Sequence, residues 1–239
     1  VKANSNGITD MQAIKQQVNS VFALLFATWF SSIDSGVKQF LREGYKRGYD
    51  IVLSSLLLLA LSPLLIVTAL AVCIESRGPV FFRQQRVGKD GKLFNMIKFR
   101  SMTTDAKLHA AVAEMESDRD GVCKKFVNDP RVTRTGRVIR KLSIDELPQL
   151  LNVLRGEMSL IGPRPALQEE VAQYSDYDRQ RLAALPGISG LWQVSGRADL
   201  SFEEQIDLDL RYIRECSLFA DLRITLQTIP AVLRGSGAY

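Results

Sequence analysis

IVLSSLLLLALSPLLIVTALAV, residues 51–72, is a run of 22 residues without a charge, broken near its middle by Ser62-Pro63. At about 1.5 Å per residue, a helix of this length matches a bilayer core of roughly 30 Å. Its flanks argue against a simple crossing. Lys38, Arg42, Lys46 and Arg47 precede it, and Arg77, Arg83, Arg86, Lys89 and Lys92 follow it. Basic residues favour the cytoplasmic side of a membrane, so both ends are drawn to one face, which a single span cannot satisfy. Pro63 lacks an N–H and its ring crowds the preceding turn, which bends a helix there. The reading is a re-entrant helix-break-helix hairpin, set against a kinked span and against the buried core helix of a soluble protein.

The 239 residues leave room for this element and one compact domain. The chain begins with Val, so further residues upstream are expected. Net charge is +5, with basic residues crowded at the flanks of the apolar run and along 131–141. An anionic lipid surface or a phosphorylated substrate suits that balance. Nucleic acid is not expected, because no recognition motif or aromatic-basic platform accompanies the charge. Cys73, Cys123 and Cys216 are far apart and form no CxxC pair, so neither a zinc site nor a disulfide framework is indicated. His109, the only histidine, lies in a charged, polar stretch and reads as a solvated surface residue. Acid, base or nucleophile must then come from carboxylates, with arginines and lysines holding anions.

Before the apolar run, residues 18–33 are apolar but short for a span, and read as the end of a helix or as an interfacial one. From Val37 to Tyr45 apolar residues recur at helical spacing while Lys38, Arg42 and Lys46 repeat every four residues, the pattern of an amphipathic surface helix or of a basic solvated face. After the run, Pro79–Val87 and Leu93–Met102 are β-prone and separated by the turn cluster Gly88-Lys89-Asp90-Gly91. Residues 103–128 read as a loop or short helix. Helices are expected near Ala166–Leu185, from the capping-box pattern Ser201-Phe202-Glu203-Glu204 past Ile213, and from Leu218 to Arg234 with a kink at Pro230. The fold expected is α+β and mostly helical: a re-entrant membrane hairpin with surface amphipathic helices, and a small cytoplasmic catalytic domain containing a short β-hairpin. Its segments run 1–36, 37–75 and 76–239.

Chemistry concentrates in Arg137-Val138-Ile139-Arg140-Lys141-Leu142-Ser143-Ile144-Asp145-Glu146-Leu147-Pro148-Gln149. Adjacent carboxylates stand at a helix start, capped either by Asp145, with Pro148 in the first turn, or by Ser143, with Glu146 closing a capping box. Either places Asp145 in a positive helix-terminal field beside Arg140, which should keep it ionised, able to attack phosphorus or bind magnesium. Plain helix capping would need the same residues. In Gly162-Pro163-Arg164-Pro165 two prolines frame one arginine, which suits a phosphate grip or a rigid turn with a solvated Arg. Lys98 and Arg100 alternate with apolar neighbours, so a strand directs both to one face, either extending the anion site or solvated. Pro186-Gly187-Ile188-Ser189-Gly190 through Trp192 to Arg197 is a Gly-rich loop with an aromatic and an Arg, weak evidence for a nucleotide site.

In order along residues 44–239, Lys46-Arg47, Ser62-Pro63, Lys98-Phe99-Arg100-Ser101-Met102, Leu142 to Gln149, Gly162 to Pro165, and Pro186-Gly187-Ile188 leading to Gln193–Arg197 form one series. The series resembles the monotopic polyprenyl-phosphate phosphoglycosyl transferases, bacterial sugar transferases that start capsule and exopolysaccharide assembly. The resemblance implies transfer of a sugar 1-phosphate from a UDP-sugar donor to polyprenyl (undecaprenyl) phosphate with release of UMP, through an aspartyl-phosphosugar intermediate on Asp145. It implies Mg2+ at Asp145, a supporting role for Glu146, and substrate contacts at Arg140, Arg164, Lys98, Gln149 and Arg197. Ser62, Pro63, Lys46 and Arg47 would belong to the membrane hairpin. The implied location is the bacterial inner membrane, catalytic domain facing the cytoplasm, with the lipid bilayer as partner and a homodimer possible. A non-catalytic membrane-anchored assembly protein is the competing reading. The longer members that transfer hexose 1-phosphates carry extra N-terminal membrane helices, and the extended C-terminal part here looks closer to them.

Overall fold

Ser62-Pro63 separates two helices, α1 (Ser35–Ala60) and α2 (Ser62–Glu75), in a computed structural model that describes residues 35–105, 129–196 and 200–234. The apolar stretch 18–33, most of the segment 103–128, His109 and Arg197 lie outside the described residues. The axes of the two helices bend by 63°. Pro63 has no N–H for the Leu59 carbonyl four residues earlier, and the Ser62 hydroxyl donates to that carbonyl instead at 2.8 Å. The carbonyl that Pro63 would have left without a donor is therefore satisfied. Among the described residues no single helix is long and apolar enough to cross a membrane, but this bent pair together has the length and composition of a broken span or a re-entrant loop.

Residues 46–239 form one compact unit, separate from the unit that ends at Tyr45. Within it, one face of α1 is committed to the core: Tyr49, Leu53 and Leu57, four residues apart, pack on a cluster built from Phe94, Met96, Leu150, Val153, Met158 and Ile224. Val52, Leu56 and Leu59 on the other side stay exposed, as do Ile66, Val67, Leu70 and Ile74 on α2. Burying Val72 of α2 against Phe99 and Ile139 makes a second, smaller cluster. Both arms thus reach back to the domain while leaving apolar surface open, which the core-helix reading does not predict.

Lys46 and Arg47 tie the base of α1 to that domain. The Lys46 ammonium donates to the Ile161 carbonyl and to Asp221, each at 2.9 Å, while Arg47 donates to the carbonyls of Val153 and Leu154 at 2.6 and 2.7 Å. At the other end of the hairpin the Glu75 carboxylate accepts the Arg134 and Thr135 amides at 2.7 and 2.8 Å, covering free donors at the start of α3 (Arg134–Lys141).

Strands β1 (Phe81–Val87) and β2 (Leu93–Phe99) form the expected antiparallel hairpin, its turn holding Asp90 at φ 56°. A second, parallel pair joins β3 (Ser159–Ile161) to β4 (Gly187–Ser189), where sequence reading expected only a turn-rich stop. Here the two backbones close to a distance that admits no Cβ: one added at Gly162 or Gly187 would collide with the opposing main chain. The helix expected over 166–185 is instead three short pieces: α5 (Gln168–Val171), α6 (Asp176–Arg179) and a 3-10 turn at Gln180–Ala183. After α7 (Leu191–Ser195), the Ser201 capping box forms as read, with the Ser201 amide donating to Glu204 at 2.7 Å and the Glu204 amide to Ser201 at 3.2 Å. It opens α8 (Phe202–Glu215), and α9 (Leu218–Arg234) follows with Pro230 inside it. The architecture is mostly helical with two small sheets of short strands.

Candidate active site

Between α3 and α4 (Leu150–Arg155) the chain turns through Ser143, a non-glycine residue in the left-handed region at φ 53°, ψ 22°. It then makes a tight 3-10 helix over Ile144–Gln149, with Pro148 inside. In an α-helix the Pro148 ring would press on the carbonyl four residues back, which disfavours that form until Pro148 is passed. Neither capping alternative survives. Ser143 makes no side-chain cap, Glu146 turns to Lys98 rather than back to close a box, and Asp145 sits within the first turn.

Asp145 is 8 % exposed. Its pKa is pushed up to about 6 by burial first and by the neighbouring Glu146 charge second, with Lys98 and Arg140 pulling the other way. The expected terminal field therefore does not dominate: desolvation wins, though the carboxylate remains mostly ionised at neutral pH. Burial alone would raise Glu146 as well. There the Lys98 ammonium, 2.6 Å from Oε1, outweighs it, and the Arg164 and Arg86 charges add to the effect, so Glu146 titrates below the usual carboxylate range. One carboxylate is held ionised by a close cation and its neighbour is held basic by burial. Adjacent acids that titrate apart in this way are suited to different tasks.

Four cations from four segments act on this pair: Lys98 of β2, Arg140 of α3, Arg164 of the Gly162–Pro165 turn and Arg86 of β1. Sequence reading brought the first three to the site and counted Arg86 only as a basic flank. The signal was present, because the register that pairs Arg86 with Phe94 and Phe82 with Lys98 puts Arg86 and Lys98 on the same face of the hairpin. Arg100 was expected on that face too, but the strand ends at Phe99. Arg100 instead turns inward, 5 % exposed, and donates to the carbonyls of Ser76 and Arg77 at 2.6 and 2.8 Å, so it is neither solvated nor part of the anion site. Gln149 is buried at the end of the 3-10 helix. Arg197, read as a substrate contact, lies outside the described residues.

Two further residues position the site and are absent from the sequence-based set: Asn152, and Thr133, whose N-cap preference was a readable signal. Asn152 is fully buried; its Oδ1 accepts the Ile97 amide at 3.0 Å, and its Nδ2 donates to the Asn95 carbonyl at 2.8 Å. It thereby locks β2, with Lys98, onto the helix that follows Asp145. The Thr133 hydroxyl accepts the Gly136 amide at 2.9 Å and caps α3, where a Cβ on Gly136 would strike the Ser101 backbone.

The donor chemistry of the pair fits magnesium. That ion is ordinarily held by one or two carboxylates and completed by substrate phosphates and water, and Asp145 and Glu146, adjacent in the chain, supply hard oxygens of that kind. Among the described residues no cluster of three or more His, Cys, Asp or Glu side chains forms an all-protein cage.

Buried Asp145 and half-buried Glu146, with three arginines and a lysine acting on them, carry the charge that a phosphorylated ligand needs, on a mostly helical domain joined to a bent apolar helix pair. The model of the bacterial sugar transferase family matches residues 41–235, and the chain belongs to that family. It is 42 % identical over 203 residues to exopolysaccharide production protein ExoY of Sinorhizobium fredii, covering 81 % of this chain and 88 % of that protein. It is 43 % identical over 201 residues to the undecaprenyl-phosphate galactose phosphotransferase of Salmonella typhimurium, covering 81 % of this chain and 41 % of the relative. To the undecaprenyl-phosphate glucose phosphotransferase of Komagataeibacter xylinus it is 44 % identical over 209 residues, covering 81 % and 37 %. The chain is an enzyme of the phosphoglycosyl transferase class.

Proposed function

We propose that the chain transfers a sugar 1-phosphate from a UDP-sugar to undecaprenyl phosphate, releasing UMP, as the first membrane step of exopolysaccharide or capsule assembly. The observation that carries this reading is the ionisable pair Asp145–Glu146 with Lys98, Arg140, Arg164 and Arg86 acting on it. A diphosphate needs several fixed positive charges, and a nucleophilic carboxylate needs them too, because an anion must approach an anion. Asp145 attacks the phosphorus that bears the sugar. An acyl-phosphate bond forms, the bond to the inner phosphate breaks, and UMP departs with the electron pair. The lipid phosphate then attacks the same phosphorus and expels the Asp145 carboxylate. A raised pKa suits the first step, since a more basic carboxylate is the better nucleophile while still charged at pH 7. Glu146, kept ionised by Lys98, orients that lysine and donates no proton. Magnesium, held by Asp145 and Glu146, would neutralise charge on the diphosphate.

The bent helix pair serves this chemistry as a re-entrant hairpin in one leaflet of the bacterial inner membrane, with the catalytic domain on the cytoplasmic side. Its exposed leucines, valines and isoleucines support that role, as does its broken helix with the Leu59 carbonyl satisfied by the Ser62 hydroxyl. Release of UMP by the purified chain with magnesium, undecaprenyl phosphate and a panel of UDP-sugars tests the reading and identifies the sugar. No UMP from any donor would overturn it.

A further inference from the structure

The turn that carries Arg164 is bonded to the rest of the domain at nearly every backbone group. Gly162 donates to the Ser189 carbonyl at 2.9 Å, and the Pro163 carbonyl accepts from Gly187 at 2.7 Å. The Pro165 carbonyl accepts from Arg86 at 3.2 Å, and that of Ala166 from Val87 at 2.9 Å. Arg164 itself, flanked by two prolines that offer no N–H, is gripped differently. Its carbonyl accepts from Arg181 Nη2 at 3.5 Å, and the Asp209 carboxylate bonded to Arg181 has its charged form favoured by the Arg164 backbone and guanidinium. Arg181 and Asp209 are bonded to each other, are 6 % and 0 % exposed, and come from the 3-10 turn at Gln180–Ala183 and from α8. The Arg181 guanidinium is held on its other side by the Tyr174 hydroxyl at 3.0 Å and lies over that ring.

A buried ion pair is a poor way to stabilise a fold, because desolvation offsets most of the attraction. This one is bonded to the backbone carbonyl of one residue, and that residue's side chain is exposed and acts on Glu146. We propose that Asp209 and Arg181 are positioning residues that clamp the Arg164 backbone so that its guanidinium is fixed for the donor diphosphate. This rests on the transferase reading above. The pair touches no reacting group itself. Its contribution is preorganisation, since an arginine already in place loses little freedom when the diphosphate arrives.

A double-mutant cycle on the full chain in detergent tests it, with inorganic pyrophosphate as the ligand and isothermal calorimetry as the readout. Asp209→Asn and Arg164→Ala each weaken pyrophosphate binding by about tenfold or more, the loss of one charge-assisted contact. If Asp209 works only through Arg164, the double variant loses no more than Arg164→Ala alone. Arg181→Lys keeps the charge but not the planar fork that reaches Tyr174, Asp209 and the Arg164 carbonyl together, and its effect should likewise vanish in the Arg164→Ala background. That variant carries the test if Asp209→Asn does not fold. Turnover should follow the same pattern as a raised donor KM with a smaller change in kcat. Losses that multiply to about a hundredfold in the double variant, or full affinity in Asp209→Asn, would overturn the clamp. UMP release by the unmodified chain separates the two levels: turnover with an additive cycle removes only the clamp, whereas neither turnover nor pyrophosphate binding removes the transferase reading with it.

Discussion

Lys46–Asp221 and Lys98–Glu146 are both close lysine–carboxylate pairs, at 2.9 and 2.6 Å, and both join segments far apart in sequence. Their surroundings differ. Asp221 is fully buried and each of its oxygens has a donor: Oδ2 takes the Lys46 ammonium and Oδ1 the Tyr212 hydroxyl at 2.6 Å. Burial and the Asp221 charge push the Tyr212 pKa far up, so that hydroxyl keeps its proton and goes on donating. Every charge there has its complement, and the result is a joint between α1 and the domain. At the other pair a second acid stands beside Glu146. No side chain among the described residues donates a hydrogen bond to the Asp145 carboxylate, which burial and repulsion leave more basic than usual. A closed set of partners makes structure. A set short of partners, with cations acting on it, is what the proposed transfer asks of a reactive carboxylate.

The largest effect that separates the two regions is on turnover. Asp145→Asn should lower UMP release by about a thousandfold or more, the usual scale for losing a nucleophile, with the protein still membrane-bound. Normal turnover in this variant would remove Asp145 from the chemistry. Next comes Lys46→Met, which strands the Asp221 charge and should cost about 3–5 kcal/mol in unfolding free energy. Unchanged thermal unfolding of that variant would erase the distinction between the regions. Lys98→Ala should reduce turnover about 10–100-fold with little loss of stability, since this pair is partly exposed. A large drop in stability would make it a joint like the first.

Asp145 should also show its cost in stability. Between 3.8 and about 6 the folded protein binds more protons at this group than the unfolded chain does, so its contribution to stability falls as pH rises through that window. At pH 7, Asp145→Asn should then unfold at a higher temperature, by an amount equivalent to about 1–3 kcal/mol. Turnover of the unmodified chain should fall as pH drops below about 6, where Asp145 takes up its proton. The smallest effect is the control: Arg211 and Glu215, an exposed pair one helical turn apart at 3.1 Å, should contribute under about 0.5 kcal/mol when Arg211→Ala is measured by unfolding.

Local patterns were readable in proportion to how few distant residues they needed. The bend at Ser62-Pro63, the hairpin across Gly88–Gly91 and the Ser201 box each follow from neighbours within four residues or so, and each formed. The 166–185 helix did not, because α5, α6 and the 3-10 turn are separated where Glu170 turns back to the Leu167 amide and the chain delivers Arg181 to buried Asp209. The β3–β4 pair was hidden for a related reason. Three-residue strands carry almost no periodicity, and the glycines that allow their approach look like turn residues.

By itself the sequence determined the residue types and their order: a broken uncharged run between basic flanks, an acidic pair after a basic helix, and an arginine framed by prolines. Those follow from chain chemistry and short-range sterics. The tertiary structure alone decided which cations meet which anions. It sent Arg100 and Lys46 to structural duty, brought Arg86 to the site, and set burial above the local helical field at Asp145. Desolvation and charge pairing depend on everything packed around a group, and Lys98 and Arg86 reach Glu146 from strands far earlier in the chain.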